Sequence, residues 1–233
     1  MGIDKRKTVV VTGSSSGLGK AIYDAVIASG HIALGFDLER DGCDVRDPAT
    51  TAPKSWPLCD VDVLVNCAGI NRNEWFEDVT PWSLNNVMNV NAFGIVYMTQ
   101  FLLPKLIASK GTVINIVSNA SHIPMTSSLA YNMSKAAALM ATKQMAHELT
   151  PKHGITVFSV SPNKLAGTEM SKEIEANVCK IRGWTPEYAA EYQKKALMHG
   201  LETPPEAVAQ FIANLIATGN MKYLSGCDIP FGK

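Results

Sequence analysis

The sequence predicts an α/β protein: one doubly wound parallel sheet with helices on both faces. Three observations predict it. Short apolar or β-branched runs alternate with helical patterns along all 233 residues. The first run leads through a glycine-rich turn straight into a helix, the arrangement that offers free N–H groups to a phosphate. No internal repeat and no linker divides the chain, so a single domain over 1–233 is expected.

Each element has its own signal. Lys7 to Thr12 is a β-branched strand. Gly13-Ser14-Ser15-Ser16-Gly17-Leu18-Gly19 is the turn, and a helical pattern from Lys20 to Ser29 is stopped by Gly30. Ile32 to Phe36 is the second strand and ends in Asp37, 18 residues past Gly19, where an acid can accept hydrogen bonds from ribose hydroxyls. Residues 38 to 60 are irregular, with Gly42, Pro48, Pro53, Pro57 and several aspartates, and leave room only for a short third strand and helix. Val61 to Val65 is a buried strand, followed by Asn66-Cys67-Ala68-Gly69, a tight turn suited to a ligand. Thr80 caps a helix with Pro81 at its first position, running to Ser109. Asn86, Asn89 and Asn91 are poor interior residues for it, and Asn91 reads either as a kink side chain holding water or as an exposed amide. Pro104 suggests a second bend.

Thr112 to Val117 is the next strand and ends at Ser118. A helix from about 128 to 150 is stopped by Pro151 and Gly154, and Ile155 to Val160 is again a strand. Lys164 to Gly200 is polar, mixed and helical in patches, and is expected to act as a mobile lid. Thr203-Pro204-Pro205-Glu206 reads as a capping box opening a helix to Thr218, and Tyr223 to Ile229 as the last strand.

Composition narrows the function. Net charge is zero, so nothing favours nucleic acid or an acidic lipid surface. The polar amino terminus carries no signal segment, and no apolar run reaches the length of a membrane span, so a cytoplasmic location without a membrane partner is expected. Cys43, Cys59, Cys67, Cys179 and Cys227 include no Cys-x-x-Cys pair; they read as small buried thiols, not disulfides or a zinc site, and no metal is expected.

The chemistry concentrates between Ser118 and Lys135. Tyr131 and Lys135 stand one helical turn apart on one face. A cation there favours the phenolate and is expected to lower the tyrosine pKa, so that the phenol exchanges a proton near neutral pH. The Ser118 hydroxyl, at the end of a strand, can bond the same substrate oxygen.

Together these residues resemble the short-chain dehydrogenase/reductase family, in its short, single-domain branch. The resemblance rests on Thr12-Gly13-x-x-x-Gly17-x-Gly19, Asp44-Val45, Asn66-x-Ala68-Gly69, Asn91, Ser118 and Tyr131-x-x-x-Lys135, in order and in register. It implies a Rossmann-like fold and a nicotinamide cofactor. It assigns Ser118 and Tyr131 to the substrate oxygen, proton transfer to Tyr131, the nicotinamide ribose to Lys135, and a water linking Lys135 to solvent to Asn91. The implied cofactor contacts are Gly13, Ser15, Ser16, Gly17, Leu18, Gly19, Asp37, Leu38, Asp44, Val45, Asn66, Ala68, Gly69, Tyr131, Lys135, Pro162, Asn163, Leu165 and Thr168, with Asp44 at the adenine amino group. Asp37 favours NAD over NADP; Arg40, beside Glu39, is read as solvated. Asn163 replaces the family's usual glycine after a proline; asparagine best tolerates a left-handed backbone, so the turn can survive. The segment after it is one residue longer than usual, and Thr168 is aligned with the family's cofactor-contacting threonine.

The expected function is NAD-dependent interconversion of a small-molecule secondary alcohol and its ketone. Two alternatives stand: a reductase of carrier-bound 3-oxoacyl chains, from Ile70-Asn71-Arg72, and a non-catalytic nucleotide-binding regulator. His122 reads as a substrate ligand or as a solvated loop residue. A homotetramer is expected, because the helix with Ala137, Leu139, Met140, Ala141 and Met145 is too apolar for one sheet face.

Overall fold

Six parallel strands, numbered in chain order, lie side by side as Ile32–Phe36 (β2), Thr8–Thr12 (β1), Val63–Asn66 (β3), Thr112–Ile116 (β4), Thr156–Pro162 (β5) and Asp228–Phe231 (β6). The computed structural model describes residues 6–53, 56, 59–197 and 200–232. β1, β3, β4 and β5 are buried along nearly their whole length, as continuous apolar runs in a parallel sheet require. Side chains alternate between two cores. Val9, Val11, Val63 and Val65 face the helices Gly17–Ala28 (α1) and Pro205–Thr218 (α9), where Ile22, Val26, Ile212 and Ile216 are fully buried. Each such side chain contributes about 1.5–3 kcal/mol by leaving water. Val10, Leu64, Val113 and Val157 face the helices Gly94–Ser109 (α5) and Leu129–His153 (α6).

Strand order reverses between β1 and β3, and in such sheets a ligand crevice opens there, at the carboxyl ends of the strands. The glycine turn and Asn66–Gly69 both leave strands at that point.

Several expectations are corrected. Residues 38–60 contribute two single-turn helices, Leu38–Asp41 (α2) and Pro48–Thr51 (α3), and among the described residues no strand, so β2 ends the sheet. Trp56 stacks on Phe101 at 6.3 Å and meets Phe36 at 5.3 Å, closing the core where the segment is short. α6 runs through Pro151 and ends at Gly154, whose left-handed backbone (φ 71°) closes the helix. Thr203 does not cap α9: Pro204 precedes it, and Thr203 instead bridges to Leu165 and lies against Gly232. The last strand begins at Asp228, not Tyr223. Cys59 and Cys227 are exposed, not buried; all five thiols are free.

Thr80 does cap the rod that follows it, in a reciprocal bond with Ser83. Pro81–Met88 (α4), a π-helical turn at Asn89–Phe93 and α5 form 29 continuous residues. By length and composition this helix could span a membrane, an 18-residue window of it having mean hydropathy 1.3, contrary to expectation. Here Met98, Leu102 and Leu106 cover the sheet, the arrangement of a core helix.

Candidate active site

The glycine turn is shaped for close approach. A Cβ at Gly13 (φ 66°) would stand 2.9 Å from Ala68 Cα, and one at Gly19 would overlap the Gly13 carbonyl. α1 starts at Gly17 with no side-chain cap from Ser16 and no acid in its first turn. Its N–H groups and positive dipole end are therefore available to an anion. Thr12 Oγ1 accepts from the Cys67 and Ala68 N–H groups, both at 2.9 Å, and ties β1 to the turn after β3. Leu18 is buried beneath this turn.

Asp37 sits where β2 ends and is 5% exposed. Its Oδ2 accepts from Ser15 N at 3.0 Å, and its Oδ1 from Glu39 N and Arg40 N, so it caps α2 and fixes the glycine turn together. Burial pushes its pKa up, but the bonds from Ser15, Arg40 and Glu39 outweigh that and hold it below the usual carboxylate value. Arg40 is not simply solvated. It grips Asp41, with Nη2 2.6 Å from Oδ2, lies over Tyr23, and fills the space above Gly35 beside Ser14. Leu38 is exposed. Asp44 faces its own neighbour, Arg46, at 2.6 Å, so its carboxylate is already engaged, while Val45 is buried against Gly94.

At the other end of the crevice the π-helical turn pushes Asn91 inward. It is buried, accepts from Ile70 N at 2.8 Å, and donates to Ile70 O at 2.9 Å and Ser134 Oγ at 3.0 Å. Of the two readings of Asn91, the exposed amide is excluded. Gly69 leaves room there: a Cβ would lie 3.4 Å from Asn91 Oδ1 and 3.8 Å from Lys135 Nζ. Lys135 Nζ donates to Ile116 O at 3.0 Å and lies 5.7 Å from the Tyr131 ring centroid. Asn66 turns its amide away, donating to Asn115 Oδ1, while Asn115 Nδ2 donates to Thr142 Oγ1.

The expected lowering of the tyrosine pKa is not what the geometry gives. Burial raises the Tyr131 pKa above its ordinary value; the nearby Ser118 hydroxyl opposes this and Cys67 adds to it. Burial also pushes the Lys135 ammonium down to about 8 and the Cys67 thiol up to about 12. Both members of the Tyr–Lys pair are desolvated, and desolvation favours their neutral forms.

Beyond β5, Pro162 ends the strand and Asn163 has no left-handed backbone; it bonds Gly232 O and Lys164 N instead. Leu165 bridges to Thr203. Thr168 caps the helix Glu169–Arg182 (α7), and its side chain is the nearest to the space above Gly17. A Cβ added at Gly167, where the backbone is left-handed (φ 65°), would meet nothing within 4 Å. His122 is an exposed loop residue but not a free one: Nε2 is 2.8 Å from Asp228, which Ser159 and Ser161 also bond. Sequence reasoning missed this pairing and the stapling role of Thr12. It also gave no role to Ser134.

A family model for short chain dehydrogenases matches residues 31–178. The chain belongs to the short-chain dehydrogenase/reductase family, whose members bind a nicotinamide cofactor, and is an oxidoreductase of that family. It is 29% identical to L-2,3-butanediol dehydrogenase of Corynebacterium glutamicum, over 94% of this chain and 95% of that one. It is also 29% identical to the NAD-dependent glycerol dehydrogenase of Listeria innocua, over 87% and 84%. Among solved structures, L-sorbose reductase of Gluconobacter frateurii, complexed with NADPH and L-sorbose, matches with a TM-score of 0.82 at 23% identity, covering 97% of this chain and 95% of that one, a likeness of fold.

Proposed function

We propose that this chain is an NAD(H)-dependent dehydrogenase that interconverts a small secondary alcohol and its ketone, with Tyr131 as the acid/base. The observation that carries the reading is the convergence of Ser118, Tyr131, Lys135 and Asn91 at the crevice end of β4. A cofactor fits the residues present: Gly13 and Gly19 let the turn close tightly on its own backbone, where any Cβ would clash, and the α1 amides that this turn presents are uncapped. Gly13, Ser15, Ser16, Gly17, Leu18 and Gly19 would hold its pyrophosphate, and Asp37 and Leu38 its adenosine ribose. Asn66 contributes only through its backbone, and Asp44 only once Arg46 lets go. Ala68, Gly69, Pro162, Asn163, Leu165 and Thr168 would line the nicotinamide half, with the Lys135 ammonium on the ribose. The bound nicotinamide supplies the hydride donor or acceptor. Ser118 holds the substrate oxygen, and the Tyr131 O–H moves a proton at that oxygen. Lys135, poised at about 8, exchanges the pair's proton onward, and Asn91 anchors the path to solvent.

NAD is preferred because Asp37 keeps its charge beside the glycine turn. About one of its four lone-pair sites remains open after three N–H bonds, enough for one ribose hydroxyl. A 2′-phosphate would meet that carboxylate, and Arg40 is already neutralised by Asp41. Residues 164–200 form the lid, as α7 and a second helix Pro186–Ala196 (α8), in which only Ser171 is buried. We further infer a homotetramer, supported by Trp82, Phe93, Tyr97 and Met140, which stay exposed on the α4–α6 side; of the apolar α6 residues, Leu139 is buried and Ala141 and Met145 pack in the same cluster. Light scattering with a concentration-independent mass near 25.1 kDa would contradict the assembly.

The test of function is nucleotide-dependent turnover against a panel of small diols, ketoses and 2-ketones, with NADH and NADPH compared by kcat/KM. No turnover on any of them with either nucleotide, while the nucleotide binds, favours the regulator.

A further inference from the structure

The helix that carries Tyr131 begins without a side-chain cap of its own. Ser128 holds the cap position but makes no capping bond, and Ser127 before it has a left-handed backbone, φ 54°. Such a conformation persists in a serine only where surroundings enforce it. Two outside groups do so. Asn73 Nδ2 donates to Ser128 Oγ at 3.1 Å, and Glu74 N donates to Ser127 O at 3.0 Å. From the lid, Arg182 Nε donates to Ser127 Oγ at 3.2 Å and Nη2 donates to Thr126 O.

Arg182 is the last residue of α7, at the lid's tip. The tip is docked again by Trp75, whose Nε1 donates to Ile181 O at 2.9 Å, and the guanidinium lies over Trp184 at 4.8 Å. Among the described residues no carboxylate pairs with Arg182. Desolvation pulls its pKa below the usual value, so it leaves water for neutral acceptors. A cation serving only the α7 dipole would stay solvated. α8 itself buries no residue; Trp184 packs on Tyr188 and Tyr192, with ring centroids 5.0 and 4.9 Å away, and the polar bonds tie this tip to the loop before α6.

We propose that Arg182 is a positioning residue that couples lid docking to the first turn of α6, and so to the orientation of Tyr131. The proposal rests on the acid/base and lid readings above. When the lid is down, Arg182 fixes Thr126 and Ser127, and the chain enters α6 on one line. When it lifts, the clamp is lost and the first turn loosens.

The deciding experiment is amide hydrogen exchange of the full chain, with and without NADH, on wild type, Arg182→Met and Arg182→Lys. The reporter is the Asn132 N–H, which makes the first helical bond of α6, to Ser128 O. In Arg182→Met it should exchange roughly tenfold faster, with α9 unchanged. Arg182→Lys should recover part of the protection, because charge and one donor remain. Faster exchange confined to the lid, with Asn132 unchanged in both variants, overturns the proposal. Loss of the acid/base reading would appear elsewhere, as full activity in Tyr131→Phe, and would leave the exchange result intact.

Discussion

The two ends of the crevice are built in different ways. Around Tyr131 the polar groups are fixed by partners far off in sequence: Asn91 by Ile70 and Ser134, Lys135 by Ile116, Asn66 by Asn115. Around Asp37 the partners are mostly local: Asp37 with Glu39 and Arg40, Arg40 with Asp41, Asp44 with Arg46. Side-chain bonds to distant partners there are those of Asp37 to Ser15 and of Arg46 to Asn86. Long-range bonds among buried groups lock a geometry, because moving one element strands polar atoms of another. Local bonds let a segment be short without that cost, and among the described residues 38–60 holds two single-turn helices at the sheet edge. By this contrast the Tyr131 end is the rigid one and the Asp37 end the adjustable one.

The largest effect expected short of the acid/base itself is at the junction between the ends. Gly19→Ala places a Cβ into the Gly13 carbonyl and should weaken NADH binding roughly tenfold to a hundredfold, from about 1–3 kcal/mol of overpacking. Titration by nucleotide fluorescence checks it, and an unchanged Kd would mean that the turn opens freely. A pH profile sharpens the rigid end. Alcohol oxidation needs the Tyr131–Lys135 pair to take up a proton, so its kcat should rise as pH passes through about 8, and carbonyl reduction should fall over the same range. Profiles with the same slope in both directions would remove the pair from the proton path.

At the adjustable end, Asp37→Ser should shift the kcat/KM ratio toward NADPH by about tenfold, one charge-assisted bond's worth. Because Asp37 also caps α2 and holds Ser15, some loss with both cofactors should accompany the shift. If preference does not move, Arg40 governs the site. The smallest effect belongs to Asp44→Ala. Its carboxylate is taken by Arg46, a partly exposed pair worth roughly 0–1 kcal/mol, and NADH affinity should change by about twofold or less.

The same contrast decides what could be read from the sequence. Signals within a few residues were legible: the glycine turn, Tyr131 one turn before Lys135, Thr80 with Pro81, Gly30 and Gly154 as stops. Strands of the sheet interior were legible because burial on both faces makes them continuous apolar runs. What depends on distant partners was not. His122 meets Asp228 across 106 positions, and Arg182 meets Ser127 across 55. Asp44 looked free for a ligand because nothing in its spacing reveals that Arg46 folds back on it. The tyrosine pKa was expected to fall because spacing shows the neighbouring cation but not the burial, which raises it and outweighs the Ser118 bond.

The central claim is that the locked end carries the proton chemistry through Tyr131. Its most direct test is kcat of Tyr131→Phe on the best substrate of the panel, with NADH affinity measured on the same preparation. Tyr131→Phe should lose about 10²–10⁴-fold in kcat with affinity nearly kept. Turnover within a fewfold of wild type, at unchanged affinity, would contradict it.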